Sequence, residues 1–162
     1  MIPWWELVLR MVLSVFLGGL IGWERETSGK PLGLRTLILV SLSVTMYVMA
    51  ATQSAAVRGE PNEPGRLMAG VAQGIAFLGA GAILQSRRKV RWLTTAAALW
   101  AAAAVGFAVG MGRYMIAVVG GALIFGTLRG LVFVEERMNK PGQGGAKAGA
   151  GGGSPDDTIA PR

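Results

Sequence analysis

The chain has 162 residues, of which 52% are apolar, and a formal net charge of +7 at pH 7. It contains no cysteine and no histidine, which excludes disulfides, thiolate metal sites, a cysteine nucleophile and a histidine base. So large a positive charge would suggest nucleic acid in a soluble protein. Here the charges lie between apolar segments, so we predict no nucleic-acid partner.

Five apolar segments fill most of the chain, at residues 7–23, 34–51, 67–84, 92–110 and 114–134. Each is close to the ~20 residues that an α-helix needs to cross a ~30 Å hydrocarbon core. None alternates as a membrane β-strand would, and a helix satisfies its own backbone in lipid. The sequence therefore predicts an all-α, polytopic transmembrane bundle of about five spans, comprising residues 1–138, with the lipid bilayer as its surroundings. The first span carries Glu6 where a cleaved signal would have basic residues, so we predict that it stays as a membrane helix.

Basic residues are concentrated in every second gap between these segments. Because positive charge accumulates on the cytoplasmic side, the carboxyl terminus is predicted to be cytoplasmic and the amino terminus outside. The denser gaps hold Arg25, Lys30 and Arg35, then Arg87, Arg88, Lys89 and Arg91, then Arg137, Lys140 and Lys147. The opposite side holds Arg58, Arg66 and Arg113.

The segment 139–162 is rich in glycine and differs from the rest of the chain. Such a composition buries too little apolar surface to offset the entropy lost on ordering. We therefore predict a disordered cytoplasmic tail.

Small residues recur at helical spacing in four of the five spans. Helices in lipid pack closely where small side chains let their backbones approach. We expect a packing seam along span 1, with a pathway lining as the alternative, and a span 4 buried inside the bundle because alanine gains little from lipid. The spaced residues are Glu6, Arg10, Ser14, Gly18, Gly22 and Glu26 in span 1, Gly70, Gly74, Gly79 and Gly81 in span 3, and Ala122, Gly126 and Gly130 in span 5.

Polar residues cluster between spans 1 and 2, in the string GWERETSGKPLGLRT at residues 22–36. An arginine at the end of a membrane helix needs an acceptor or must extend to the interface. Pairing of Arg35 with Glu24 or Glu26 meets that need, either as a clamp on the loop or as part of a ligand or partner site. The predicted orientation brings Thr94 and Thr95 to the same depth.

No catalytic motif is present, and Gln73 is the only strongly polar side chain in the middle of span 3. We find no P-loop, no GxSxG and no HExxH. No enzyme activity, cofactor or metal site is therefore predicted.

Four ordered strings resemble the membrane domain of the MgtC/SapB family: GGLIGWERE (18–26), KPLGLRT (30–36), GIAFLGAG (74–81) and LTTAAALWAAAAVGFAVG (93–110). The resemblance implies a multi-pass protein of the bacterial inner membrane, linked to survival in low Mg²⁺ and to stress response. It implies regulation of other membrane machinery, such as the proton-driven ATP synthase, rather than transport. The soluble carboxyl-terminal domain of longer members is not expected in this chain.

Residues that match the family pattern position for position, and that we take with Gln73 as functional candidates, are Glu24, Arg25, Glu26, Arg35, Thr36, Arg66, Thr94 and Thr95. Two departures are notable. The family's glutamine four residues after the arginine matching Arg66 is replaced by Gly70, and Gln73 stands three residues further on, where we expect it to keep the same helical face and the polar contact in altered form. Trp92 stands where the family usually has glycine.

Three functions remain open from the sequence. The first is regulation through contacts with another membrane protein or through self-association. The second is transport of Mg²⁺ or a small solute, for which mid-membrane carboxylates would be expected and are not found in the predicted spans. The third is a structural interaction module.

Overall fold

The computed structural model describes residues 2–58, 63–84 and 92–138, and every regular element among them is an α-helix. The predicted tail at 139–162 lies outside the described residues. In chain order the helices are α1 (Trp4–Thr27), α2 (Leu34–Arg58), α3 (Glu63–Leu84), α4 (Leu93–Gly110) and α5 (Tyr114–Met138).

The helices have the length and surface of membrane spans. Four of them contain apolar segments long enough to cross a bilayer, and Tyr114–Gly130 of α5 is a shorter apolar segment. Large apolar side chains such as Phe16, Phe77 and Met115 are exposed on the outside of the bundle, which marks a surface adapted to lipid rather than water. The predicted all-α membrane bundle is confirmed.

Two glycines end helices in the left-handed conformation. After α1, Gly29 has a φ of 62°, and the amide of Lys30 donates to the carbonyl of Arg25. After α4, Gly112 has a φ of 71°, and the amide of Arg113 donates to the carbonyl of Ala108. Both are Schellman endings, in which glycine avoids the Cβ clash of the left-handed region. They give the short turns that the α1–α2 and α4–α5 hairpins need.

Helix α4 lies at the centre of the bundle and contacts each of the other four helices. Ala98, Ala102 and Val109 are among its fully buried residues. Alanine adds little bulk, so neighbouring helices approach its axis closely. The prediction that span 4 lies inside the bundle is confirmed.

A seam of small residues holds α2 between α1 and α4. A Cβ added to Gly18 would lie 2.8 Å from the Ser41 Cβ, and one added to Gly106 would meet the carbonyl oxygen of Ser41 itself. Ser14 and Ser41 are 3.3 Å apart through their hydroxyls, and the Thr45 hydroxyl donates toward the carbonyl of Gly106 at 2.8 Å. The predicted seam along span 1 is therefore a helix-packing surface.

The expectation that the small residues of α3 and α5 also lie in close helix packing is wrong. A Cβ added to Gly70, Gly74 or Gly81 of α3 would meet no other atom within 4 Å, and the same holds for Gly126 and Gly130 of α5. On α3 only Gly79 lies near another helix, at an ordinary 3.7 Å from Ala96. The buried core is built mainly from α1, α2 and α4, to which α3 adds Ile75 and α5 adds Ala117, so the small faces of α3 and α5 remain on its outside.

Candidate functional site

The buried end of α1 carries two of the predicted charged residues. Glu24 and Arg25 retain only 2% and 3% of their exposure. The Arg25 guanidinium donates to the Thr95 hydroxyl at 2.7 Å, which joins α1 to α4, and the Ser28 hydroxyl donates to the Glu24 carboxylate at 2.8 Å. Glu24 Oε2 and Arg25 Nε find no further partner among the described residues. A carboxylate and a guanidinium are thus held out of solvent where α1 meets α4.

Glu26 makes a different contact, at the start of α2. Its carboxylate accepts from the backbone amide of Leu34 at 3.0 Å, which satisfies one of the free amides at a helix N-terminus and places negative charge at its positive end. Gly33 leaves room for this approach, because a Cβ there would lie 2.9 Å from the carboxylate oxygen. Glu26 therefore fixes the entry of the chain into α2.

The expected clamp between Arg35 and Glu24 or Glu26 is not formed. Among the described residues the only ion pair joins Glu6 and Arg10, and Arg35 is exposed. Both predicted acceptors are engaged, Glu24 with Ser28 and Glu26 with the α2 backbone. The guanidinium that is buried at this end of the bundle belongs to Arg25.

The remaining predicted residues of this region lie around that centre. Arg35 and Thr36 line a shallow cleft of about 420 Å³ together with Glu26. Thr94 is exposed, in contrast to its buried neighbour Thr95. The structure therefore brings Glu24, Arg25 and Thr95 together and places the other side chains at the surface.

Arg66 and Gln73 lie apart from this region, on α3. Arg66 is exposed at the first turn of the helix and lines a groove between α2 and α3. Gly70 lines the same groove, whereas Gln73 is exposed and is not part of its lining. The shift of three residues was expected to keep the glutamine on one helical face and so preserve the polar contact, but Gln73 lies outside the groove that Gly70 lines.

A second charged cluster, not among the predicted site residues, lies near the other end of α1. The Arg10 guanidinium donates to the carbonyl of Gly110 at 2.7 Å, to the Tyr114 hydroxyl at 3.2 Å and to the Glu6 carboxylate at 2.5 Å. The Tyr114 hydroxyl also donates to Glu6, at 3.1 Å. Arg10 thus caps the end of α4, where the helix dipole favours a cation. The spacing of Glu6 and Arg10 by four residues was the available signal.

Trp92, the N-cap residue immediately before α4, has a φ of 74°, in the left-handed region. Glycine adopts this conformation without the steric cost that a side chain incurs. The backbone geometry thus accounts for the glycine that the resemblance places at this position.

A model of the MgtC family matches residues 11–137. SrpB of Synechococcus elongatus is 36% identical over 141 residues, which cover 78% of this chain and 75% of SrpB. MgtC of Salmonella typhimurium is 36% identical over 107 residues, which cover 66% of this chain and 44% of MgtC.

YhiD of Escherichia coli, whose name proposes magnesium transport for it, is 33% identical over 122 residues, covering 73% of this chain and 57% of YhiD. The chain therefore spans less than two thirds of MgtC and of YhiD. No solved structure matches it significantly.

Proposed function

We infer that this chain, which belongs to the MgtC family, is a multi-pass protein of the bacterial inner membrane that acts in magnesium limitation or stress. In our proposal it regulates other membrane proteins through direct contact. Family membership and the apolar helices supply the membrane and magnesium link. The helix packing supports the regulatory role.

The open small face of α5 is the observation that carries the proposal. Ala122, Gly126 and Gly130 follow one another at intervals of four, all are exposed, and a Cβ at either glycine would meet nothing within 4 Å. In lipid, such a face allows a second helix to approach at backbone distance. A partner helix on α5 would find the kind of surface that α2 already finds on α1 and α4.

The interior supports contact rather than conduction. The two charged clusters of α1 are separated by the rise of 14 residues from Arg10 to Glu24, or about 21 Å. Between them the buried face of α1 carries Ser14, Gly18 and Ile21, packed against α2. Arg10 at one end of α1 and Arg25 at the other each donate a hydrogen bond to α4.

The test measures crosslinking to a partner protein and growth under Mg²⁺ limitation in the same variants. A photo-crosslinking residue at Leu123, exposed on α5, should give discrete adducts with another membrane protein in native membranes under Mg²⁺ limitation. The same residue at Phe16, exposed on α1, is the matched control. Adducts from Leu123 should disappear, together with growth support, when Gly126 is replaced by leucine. Equal adducts from both positions, or growth support that survives loss of the adducts, would contradict the proposal.

Transport of Mg²⁺ or another small solute is the second candidate, favoured by the name of YhiD. It is separated by ion flux in proteoliposomes that contain this protein alone. We expect no Mg²⁺ entry above that of empty vesicles, and flux proportional to the protein would establish transport instead. A purely structural module would crosslink in the same way but leave growth under Mg²⁺ limitation unaffected.

A further inference from the structure

A long apolar groove opens on the outside of the bundle between α2 and α3. Its volume is about 730 Å³. Leu39, Val40 and Val44 line it from α2, and Val71 and Leu78 from α3. The two helices are in contact, and the groove lies between them on the outer surface.

Two glycines of α3, which have no side chains, form the floor of the groove. Arg66, Gly70, Gly74 and Leu78 follow one another at intervals of four, and all four line the groove. A Cβ at Gly70 or Gly74 would meet nothing within 4 Å, so both glycines border open space. The result is a trough that runs along the axis of α3 from an arginine at one end.

The dimensions of the trough match one leaflet of a membrane. The 12-residue rise from Arg66 to Leu78 corresponds to about 18 Å of helix. Half of a ~30 Å hydrocarbon core is about 15 Å. An acyl chain lying along Gly70 and Gly74 would thus remain within the leaflet whose surface is near Arg66.

The charge at the end of the trough selects the head group. Arg66 lies in the first turn of α3, next to the beginning of the apolar segment Gly65–Ile83, and it is exposed. A guanidinium matches a phosphate with two parallel hydrogen bonds, and anionic lipid adds favourable charge. Tyr47 adds an exposed aromatic ring to the lining.

We propose that the α2–α3 groove is a binding site for an anionic phospholipid, with its phosphate on Arg66 and one acyl chain in the trough over Gly70 and Gly74. A bound lipid would occupy the space that separates α2 from α3. A transmembrane helix from a second copy would use the same glycines but would give the exposed Arg66 guanidinium no anionic group to bind. Lipid therefore accounts for both the apolar trough and the charge at its end.

Native mass spectrometry of the purified full chain tests this, with phosphatidylglycerol and phosphatidylcholine of identical acyl chains. Arg66→Gln should weaken phosphatidylglycerol binding at least about fivefold and bring it to the level of phosphatidylcholine. Arg113→Gln is the matched control, because Arg113 is exposed and predicted to lie on the same side of the membrane but outside the groove. Equal loss from both variants would indicate general surface attraction and overturn the site.

Filling the trough tests the acyl chain separately. Gly74→Leu should weaken binding of both lipids severalfold, and Ser43→Leu should do the same from the α2 side. Gly81→Leu, on an open position of α3 outside the groove, is the control and should leave binding unchanged. Circular dichroism confirms that each variant is folded. If the groove-filling variants keep their lipid, or change the oligomeric state while keeping it, the trough does not hold an acyl chain.

Discussion

Glycines at the same helical spacing behave in opposite ways in two regions of this bundle. Gly18 and Gly22 on α1, and Gly106 and Gly110 on α4, each face α2 so closely that a Cβ would lie under 3.0 Å from its atoms. On α3 and α5 the glycines of the groove and of the small face border open space. The spacing marks a surface on which a backbone can approach, and the fold decides whether that surface is filled by the protein itself.

The seam should be the most sensitive part of the molecule. Gly106→Leu places a side chain against the backbone carbonyl of Ser41, which cannot move without displacing α2. We expect a loss of more than about 4 kcal/mol in unfolding free energy, and with it loss of the folded bundle. Denaturation in mixed micelles, followed by circular dichroism, measures this. Gly81→Leu in the open region is the control, and comparable losses from both variants would show that the two regions do not differ.

Substitution of the buried Arg25 should lower the free energy of unfolding, and substitution of the exposed Arg35 should not. Arg25→Leu removes the partner of the buried Thr95 hydroxyl and leaves the Glu24 carboxylate buried beside an uncharged side chain. We expect a cost of about 3 kcal/mol. Arg35→Leu should leave unfolding unchanged, because Arg35 is exposed and joins no ion pair among the described residues. The idea fails if Arg35→Leu proves the more destabilising of the two.

A folded Arg35→Leu variant also isolates the function of that residue. Should it lose growth support under Mg²⁺ limitation while unfolding normally, the contact it makes lies outside the bundle. Should it grow normally, Arg35 has no role in that activity.

A smaller effect is expected at the cap of α4. Tyr114→Phe removes the hydroxyl that accepts from Arg10 and donates to Glu6. The loss should be about 1 kcal/mol, since Arg10 keeps its bond to Gly110. Tyr47→Phe, in the exposed α2–α3 groove, should not alter unfolding. Identical unfolding curves for Tyr114→Phe and the unmodified protein would show that the hydroxyl contributes nothing.

The smallest change in stability should come from the open face of α5. A Cβ at Gly126 would meet no other atom within 4 Å, so we expect Gly126→Leu to shift unfolding by less than about 0.5 kcal/mol. Under the proposed function the same variant loses its crosslinked partner and its growth support. A strongly destabilised Gly126→Leu would mean that this face packs within the protein.

The sequence alone predicted the depth of most side chains but not the direction in which they face. The ridge at Ser14, Gly18 and Gly22 was predicted correctly because one helix fixes its own periodicity. Arg25 and Arg35 lie near the same end of the bundle, and only the packed helices show that one is buried and the other exposed. Rotation of a helix about its axis depends on its neighbours, which a single sequence does not display. The trough on α3 was missed for the same reason.

The bond from Arg10 to the carbonyl of Gly110 also constrains how the protein is made. The two residues are 100 positions apart. At a synthesis rate of ~5–20 residues per second, this separation corresponds to roughly 5–20 s of translation. During that interval Arg10 has been synthesised and the end of α4 has not. Glu6, four residues away, is the only partner of this cluster made before Arg10 itself. Until Gly110 and Tyr114 are synthesised, Glu6 is therefore the member of this cluster that is available to pair with Arg10.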